Sequence, residues 1–501
     1  MSTESKKLEC DLVMRGGITS GIVYPRAIAK LAEKYNFRCI GGTSAGAIAA
    51  TATAAAAYGR KHGEDHFQSD IRGLPERLGT KRKNKTELER LFQPQPETSR
   101  LFKVLMSGLG RESKPEKIAR IAATLCVQYW PLALLGAAIA LVPLFAFAKT
   151  STLGGLLFWV LLVFGLIAGA AFVLLLAAGG GLRDILHELP KRGYGMCSGS
   201  SNMQPDEEGV LPLTDWLNEY FQKVANRPLD EPVTFGDLWG TKDETKPRDI
   251  ELVLMTTNVT RGISQRLPFI EGSWGQLFFK KAEFDGLFPE SVVKAMYENR
   301  AVVRHPDRIE VPDGYYPLPD APNLPILLGA RMSLSFPFLL SAVPLYAADV
   351  STKNKNGKFE LVRCWFSDGG LTSNFPIHFF DAPLPSRPTF GINLVPASVK
   401  PMAEMDDGRP VKTPVASGLT PAERESWSRV YMPASNSGGV GPAARFNQFE
   451  GIVGFFSALF DTARNWGDTE LTAMPGYRDR IAHVALSEDE GGLNLNMPKH
   501  V

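Results

Sequence analysis

The stretch "IGGTSAGAIAA", residues 40 to 50, surrounds one serine with residues that have almost no side chain. Gly42-Thr43-Ser44-Ala45-Gly46 fits the pattern G-x-S-x-G. In a chain with 47 glycines the pattern alone carries little weight, and its setting carries more. The preceding "NFRCIGG" is a short apolar run ending in glycines, a buried strand by pattern; the following "SAGAIAATATAAAAYG" reads as a helix. A serine between strand and helix is the arrangement of a nucleophile elbow. The chain turns so sharply there that a Cβ two residues to either side would clash, and glycine removes the clash. A helix that opens at the serine offers free N–H groups and the positive end of its dipole to negative charge. The other reading is a phosphate-binding turn. It fails because G-x-x-x-x-G-K-[ST] is missing and the turn offers no lysine.

Working outward, "CDLVMRGG" is a second strand pattern, and "SGIVYPRAIAKLAEKY" places Ile22, Ile28, Ala29 and Leu31 on a helical face. The chain therefore opens β-α-β-α, an order that implies a parallel sheet with helical crossovers. Downstream, "DIELVLMTTNV", "KFELVRCWFSDGG" and "RPTFGINLVPA" read as strands, and "ESVVKAMYENR" as a helix. "LLGARMSLSFPFLL" reads as a helix followed by a proline turn. Residues 60–120 read as charged and irregular, and 401–445 as a Pro-, Gly- and Ser-rich excursion. "FNQFEGIVGFFSALFDTARNW" sets Phe449, Ile452, Val453, Phe456, Leu459 and Phe460 on one helical face, for docking on a core or lying at a membrane surface.

The chain has 501 residues, 44% hydrophobic and 22% charged, which marks a folded protein of more than one average domain. A net charge of +2 gives no sign of nucleic-acid binding. Five scattered cysteines form no zinc spacing or disulfide framework and suit a reducing compartment. No apolar run follows Lys6 and Lys7 before Gly16, so the N-terminus reads as cytoplasmic and uncleaved. Two uncharged runs, between Arg120 and Lys149 and between Lys149 and Arg183, each exceed the roughly 20 residues that cross a bilayer. They read as a transmembrane hairpin, about 121–148 and 150–182, with kinks at Pro131 and Pro143. Basic residues flank it on both outer sides (Lys103, Arg111, Lys114, Lys117 and Arg120; Arg183, Lys191 and Arg192), which puts both ends in the cytoplasm.

A serine nucleophile needs a base and an oxyanion site. His378 follows an acidic turn in "SDGGLTSNFPIHFF" and is one candidate base, though it reads better as part of a helix after that turn. His62 and His66 in "HGEDH" have the spacing of a metal helix but wrongly placed acids, so a solvated loop is expected. The other candidate is Asp368 in "CWFSDGG", where Gly369 and Gly370 allow a carboxylate to approach a hydroxyl closely.

An early G-x-S-x-G, a late D-G-G and a glycine turn after the first strand together resemble the patatin-like phospholipases and acyl hydrolases. The resemblance covers residues 8–60 and 190–400, and "NVTRGISQRLPF" and "ARMSLSFPFLLSAVPLY" share it. It implies a three-layer α/β/α fold with a mainly parallel central sheet, here carrying the inserted hairpin. It also implies a histidine-free dyad with Ser44 as nucleophile and Asp368 as general base, Gly42, Gly46, Gly369 and Gly370 serving the two motifs. The family's G-G-G-x-[RK]-G turn is altered to "RGGITSG", so the expected oxyanion donors are the N–H groups of Gly16, Gly17 and Ile18.

The resulting organisation is a catalytic domain split into 1–95 and 191–400, an inserted region 96–190 and a C-terminal segment 401–501. The expected activity is acyl-ester cleavage of membrane phospholipid or lysophospholipid on the cytoplasmic side, with the bilayer as partner and no cofactor or metal. Acyl transfer, neutral-glyceride cleavage and a non-catalytic membrane scaffold are the alternatives.

Overall fold

In the computed structural model, Leu8–Met14 (β1) and Tyr35–Gly42 (β2) run parallel, with Val13 opposite Gly41. The helix Tyr24–Ala32 (α1) links them, and Ala45–Lys61 (α2) follows directly after β2. This is the β-α-β-α opening expected from the apolar pattern. The structure describes residues 7–17, 20–83, 85–108, 114–150, 156–202, 204–269, 275–396, 405–406, 409–410, 430–431, 462, 467–468, 471–472, 474 and 476–486. The apolar helical pattern at 449–460, and nearly all of 401–445, lie outside them.

The chain divides into two compact units, one of residues 1–93, 199–337 and 342–501, the other of 94–198 and 338–341. The first holds an eleven-stranded sheet. Its further strands are Glu251–Asn258 (β3), Ile263–Leu267 (β4), Leu277–Lys280 (β5), Tyr315–Pro317 (β6), Val343–Lys353 (β7), Phe359–Asp368 (β8), Thr389–Pro396 (β9), Val430–Tyr431 (β10) and Ile481–Leu486 (β11). The order is β10-β11-β9-β1-β2-β3-β8-β7-β5-β6, with β4 also paired to β3.

The sheet is mixed, which corrects the expectation of a mainly parallel one. Strands β11, β9, β1, β2 and β3 are mutually parallel, whereas β3–β8, β8–β7, β7–β5 and β5–β6 are antiparallel. Parallel neighbours need a long crossover; β7 and β8 are joined by a short turn and so must run opposite ways. The reversal positions the candidate base. Strand β8 stops at Asp368 opposite Thr256, close to the level at which β2 ends beside Leu254 of β3.

Both faces of the sheet are covered. A Cβ on Gly42 would collide with Gly46 in α2, whereas one on Gly41 would meet the rings of Phe379 and Phe380. Adjacent strand residues point to opposite faces. So α2 covers one face and the turn Ile377–Phe380 the other, where Val13, Phe375, Ile377 and Ile481 form a buried cluster packed by Leu471 and Tyr477. The 60–120 region, expected to be irregular, contains the helices Leu74–Leu78, Glu87–Leu91 and Ser99–Ser107. The first two are five residues long, too short to display a helical period in sequence.

The second unit contains the helices Lys114–Gln128, Trp130–Thr150 and Leu156–His187. The first uncharged run is therefore not one helix. Residues 115–128 and 130–142 meet at 97°. Pro131 has no N–H to continue the earlier helix, but it fits the second position of a new one. That new helix runs through Pro143. The segment Leu162–His187, with a mean hydropathy of 2.5, is the one helix among the described residues long and apolar enough by itself to cross a membrane. Gly136 lies against Val173 and Gly169 against Ala140, so small residues let these two apolar helices approach closely.

Candidate active site

Ser44 ends the turn after β2 with φ 55° and ψ −126°, a left-handed backbone unusual for a residue with a side chain. The two motif glycines make the turn possible. A Cβ on Gly42 would strike the Gly46 carbonyl, and one on Gly46 would strike the carbonyls of Met14 and Arg15. Helix α2 starts at the next residue, Ala45.

The hydroxyl Oγ of Ser44 lies 2.8 Å from Oδ2 of Asp368 and 3.0 Å from the Gly17 carbonyl oxygen. Ser44 and Asp368 are each only 2% exposed. The other carboxylate oxygen, Oδ1, accepts the Gly370 N–H at 2.6 Å. The main chain of Asp368 is held as well: its N–H donates to Ser335 O at 2.9 Å, and its carbonyl accepts the Thr257 hydroxyl at 2.8 Å. A Cβ on Gly369 would collide with the Met255 carbonyl, so D-G-G brings the turn against β3 where a side chain would not fit.

One short segment holds both halves of this pair. The helix Ile326–Ser333 (α3 here) and the residues just after it carry Ser333, which accepts the Ser44 N–H at 3.0 Å, and Ser335, which accepts the Asp368 N–H. Fully buried Arg331 donates from Nη1 to Ser335 Oγ at 2.6 Å. The sequence marks "ARMSLSFPFLL" as a helix and a turn, but nothing local assigns these polar roles.

Of the expected oxyanion donors, Gly16 is differently engaged. Its N–H donates to the Asn374 carbonyl at 2.6 Å. Gly17 presents its carbonyl oxygen, which accepts the Ala45 N–H at 3.0 Å and lies 3.0 Å from the Ser44 hydroxyl oxygen. Ile18 lies outside the described residues. His378 sits in the 3₁₀ turn Ile377–Phe380, its buried Nδ1 without a hydrogen-bond partner. Burial and the nearby Arg266 cation lower its pKa, so the ring is neutral at pH 7. In "HGEDH", His62 Nδ1 bonds the Tyr58 carbonyl and His66 Nδ1 the Asp70 carboxylate, each at 2.8 Å, as a loop at a helix end would do.

A family model for patatin-like phospholipase matches residues 12–156. Over 544 aligned residues the chain is 34% identical to the RpoH suppressor of Rhizobium meliloti (strain 1021), covering 98% of this chain and 80% of that one. The chain belongs to the patatin-like phospholipase family. The family supports lipid acyl hydrolysis in general. Among solved structures, VipD from Legionella pneumophila is similar at 14% identity and a TM-score of 0.25, over 79% of this chain. The chain spans about half, 53%, of VipD. In this family member the match begins in β1, includes the elbow and ends in the inserted unit, while Asp368 lies far outside it.

Proposed function

We propose that the chain is a membrane-anchored serine acyl hydrolase that cleaves fatty-acyl esters of phospholipids or lysophospholipids through a Ser44–Asp368 dyad. One observation carries the reading: residues 324 apart in sequence meet at 2.8 Å, hydroxyl to carboxylate, at a strained strand-to-helix turn. Asp368 Oδ2 takes the proton as Ser44 Oγ attacks the ester carbonyl carbon. The carbonyl electron pair moves onto oxygen, and the N-terminal end of α2 favours that charge. Collapse expels the alcohol, which takes the proton from Asp368. Water then attacks the acyl-serine by the same steps and releases a fatty acid.

An apolar cleft supports an acyl chain as the bound group. It has a cavity volume of about 90 Å³ and includes Ala45, the residue after the nucleophile, in its wall. Gly21, Ala45, Ala49, Ala52, Leu213 and Trp216 contribute to its walls. The alanines follow one face of α2, so the elbow helix itself supplies a smooth wall for a methylene chain. The occupant we assign is a single acyl chain, with its ester directed to Ser44.

The helices Trp130–Thr150 and Leu156–His187 are proposed as the anchor. Phe164, Ile167 and Leu175 are each more than 60% exposed, an apolar surface that water would not favour. Their basic flanks put the connected catalytic unit in the cytoplasm. An anchor of this kind keeps the enzyme on insoluble substrate by raising the effective concentration.

The experiment is lipid mass spectrometry of membranes exposed to the wild-type chain and to Ser44→Ala. Loss of phospholipid or lysophospholipid with free fatty acid release, seen with the wild type alone, is the expected result. Identical lipid profiles overturn the reading.

A further inference from the structure

Gly16 spends its N–H on Asn374, and the Gly17 carbonyl oxygen stands 3.0 Å from both the Ala45 N–H and the Ser44 hydroxyl. It occupies the kind of position that the carbonyl oxygen of a bound ester must take. Ala45 N–H becomes available to a substrate when that ester displaces the Gly17 oxygen.

Asn374 borders the same place. A Cβ on Gly16 would overlap Asn374 Oδ1 and would stand 3.2 Å from Cβ of Ser44. The amide and the serine thus flank one small gap that glycine keeps open. Asn374 is 6% exposed, and its Oδ1 is buried with no hydrogen-bond partner. Buried polar atoms are almost always paired, so this one calls for an explanation. A half-turn about the last side-chain bond exchanges the amide oxygen for its NH2, which carries two donors.

The main chain around Asn374 is fixed from far along the chain. Asp468, itself 8% exposed, accepts the N–H groups of Asn374 at 2.7 Å and Phe375 at 3.0 Å, and the Ser373 hydroxyl at 3.3 Å. The Asn374 carbonyl in turn holds Gly16. A carboxylate 94 residues downstream therefore sets both the glycine turn and the asparagine.

We propose that the Asn374 side-chain amide donates a hydrogen bond to the tetrahedral oxyanion, with Asp468 as its positioning residue. The proposal rests on the Ser44–Asp368 acyl hydrolase reading. As Ser44 Oγ bonds to the carbonyl carbon and its proton passes to Asp368 Oδ2, the carbonyl π pair becomes the oxyanion lone pair. That oxygen accepts from Asn374 Nδ2 and Ala45 N. On collapse the pair returns, the C–O bond of the leaving alcohol breaks, and the alcohol takes the proton from Asp368. The amide is neutral throughout and needs no proton exchange.

The test uses the full chain in detergent with p-nitrophenyl butyrate, comparing wild type, Ser44→Ala, Asn374→Ala, Asn374→Asp and Asp468→Asn. Loss of one oxyanion donor lowers kcat by about 10²–10³-fold, and KM should change by less than about threefold. Asn374→Asp keeps the shape and the main-chain bonds to Asp468, so it serves if the alanine variant fails to fold; it should be equally slow. Asp468→Asn should fall between it and the wild type, again in kcat. Reaction of Ser44 with a fluorophosphonate should slow in the same order, because the phosphonyl oxygen takes the place of the oxyanion. A folded Asn374 variant with kcat within about threefold of wild type overturns the proposal and leaves the dyad standing. A loss confined to KM overturns it too. Absence of Ser44-dependent turnover in the wild type overturns both.

Discussion

Ser333 accepts the backbone N–H of Ser44 at 3.0 Å, across 289 residues of sequence. The bond matters because of where Ser44 sits. A residue at φ 55° persists only if its surroundings hold it there, and the N–H of such a buried residue needs an acceptor. Ser333→Ala removes that acceptor and puts no new group in its place. The expected cost is about 1–3 kcal/mol of stability, from a buried donor left unmade. Urea unfolding of the two proteins measures it. Turnover should fall in kcat more than in KM, since the hydroxyl is misaimed while the acyl cleft is untouched. Unchanged stability would show that the elbow holds itself.

Asp368→Asn tests the base directly. Asparagine preserves the shape at this position, and its carbonyl oxygen can still accept the Gly370 N–H. It cannot take the serine proton. General-base catalysis is worth about 10²–10⁴-fold, so ester turnover should fall by at least that lower figure while the thermal transition stays within a few degrees. Retained turnover would transfer the role to another group, with the neutral His378 the first to examine by substitution.

The elbow and the acidic turn were legible in sequence because each is a local constraint. Gly42 and Gly46 face carbonyls that a Cβ would strike, and Gly369 faces another, so chemistry of single residues records the geometry. What joins these turns was not legible. Ser333, Ser335, Asn374 and Asp468 act through bonds to main chain, where any residue offers the same N–H or carbonyl, and their partners are tens to hundreds of residues away. The direction of β8 was hidden for a related reason. An apolar run has no sense of direction, and only the short connection from β7 hints that it reverses. At the membrane segments the uncharged runs were plain, and Pro131 marked a kink in the first, but hydropathy gave no measure of how sharp the 97° break at Tyr129 is, since it follows from a missing N–H rather than from polarity.

The acyl cleft gives a prediction about chain length. Ala49 and Ala52 lie one helical turn apart on its α2 wall. Ala49→Leu adds three carbons to that wall. Turnover of a long-chain ester such as p-nitrophenyl palmitate should fall at least about tenfold, whereas p-nitrophenyl butyrate should keep its rate to within about threefold. Overfilling the site costs about 1–3 kcal/mol, so a melting curve accompanies the assay. Equal loss on both esters would place the acyl chain elsewhere.

His483 provides the pH dependence. Its ring is 2% exposed in β11, with Nδ1 3.1 Å from Nδ2 of Asn393, and Arg15 donates to Asn393 Oδ1 at 2.7 Å. Burial, and then the Arg15 and Arg478 cations, push its pKa down to about 4 from an ordinary 6.5. The folded ring is therefore neutral through a range in which the unfolded ring takes up a proton. Between about pH 6.5 and pH 4 the unfolded chain binds more protons, so stability is full above this window and is lost as the pH falls through it. The loss reaches about 3 kcal/mol at most from this one group. Unfolding by urea at pH 7, 6, 5 and 4.5 should show it as a falling midpoint, and His483→Gln should flatten the slope, because a glutamine binds no proton in either state. Because β11 pairs with β9, and Arg15 directly precedes the glycine turn at Ser44, acid should loosen this edge of the sheet. Ser44 labelling by a fluorophosphonate should then decline with the same pH profile in the wild type, and less steeply in the glutamine variant.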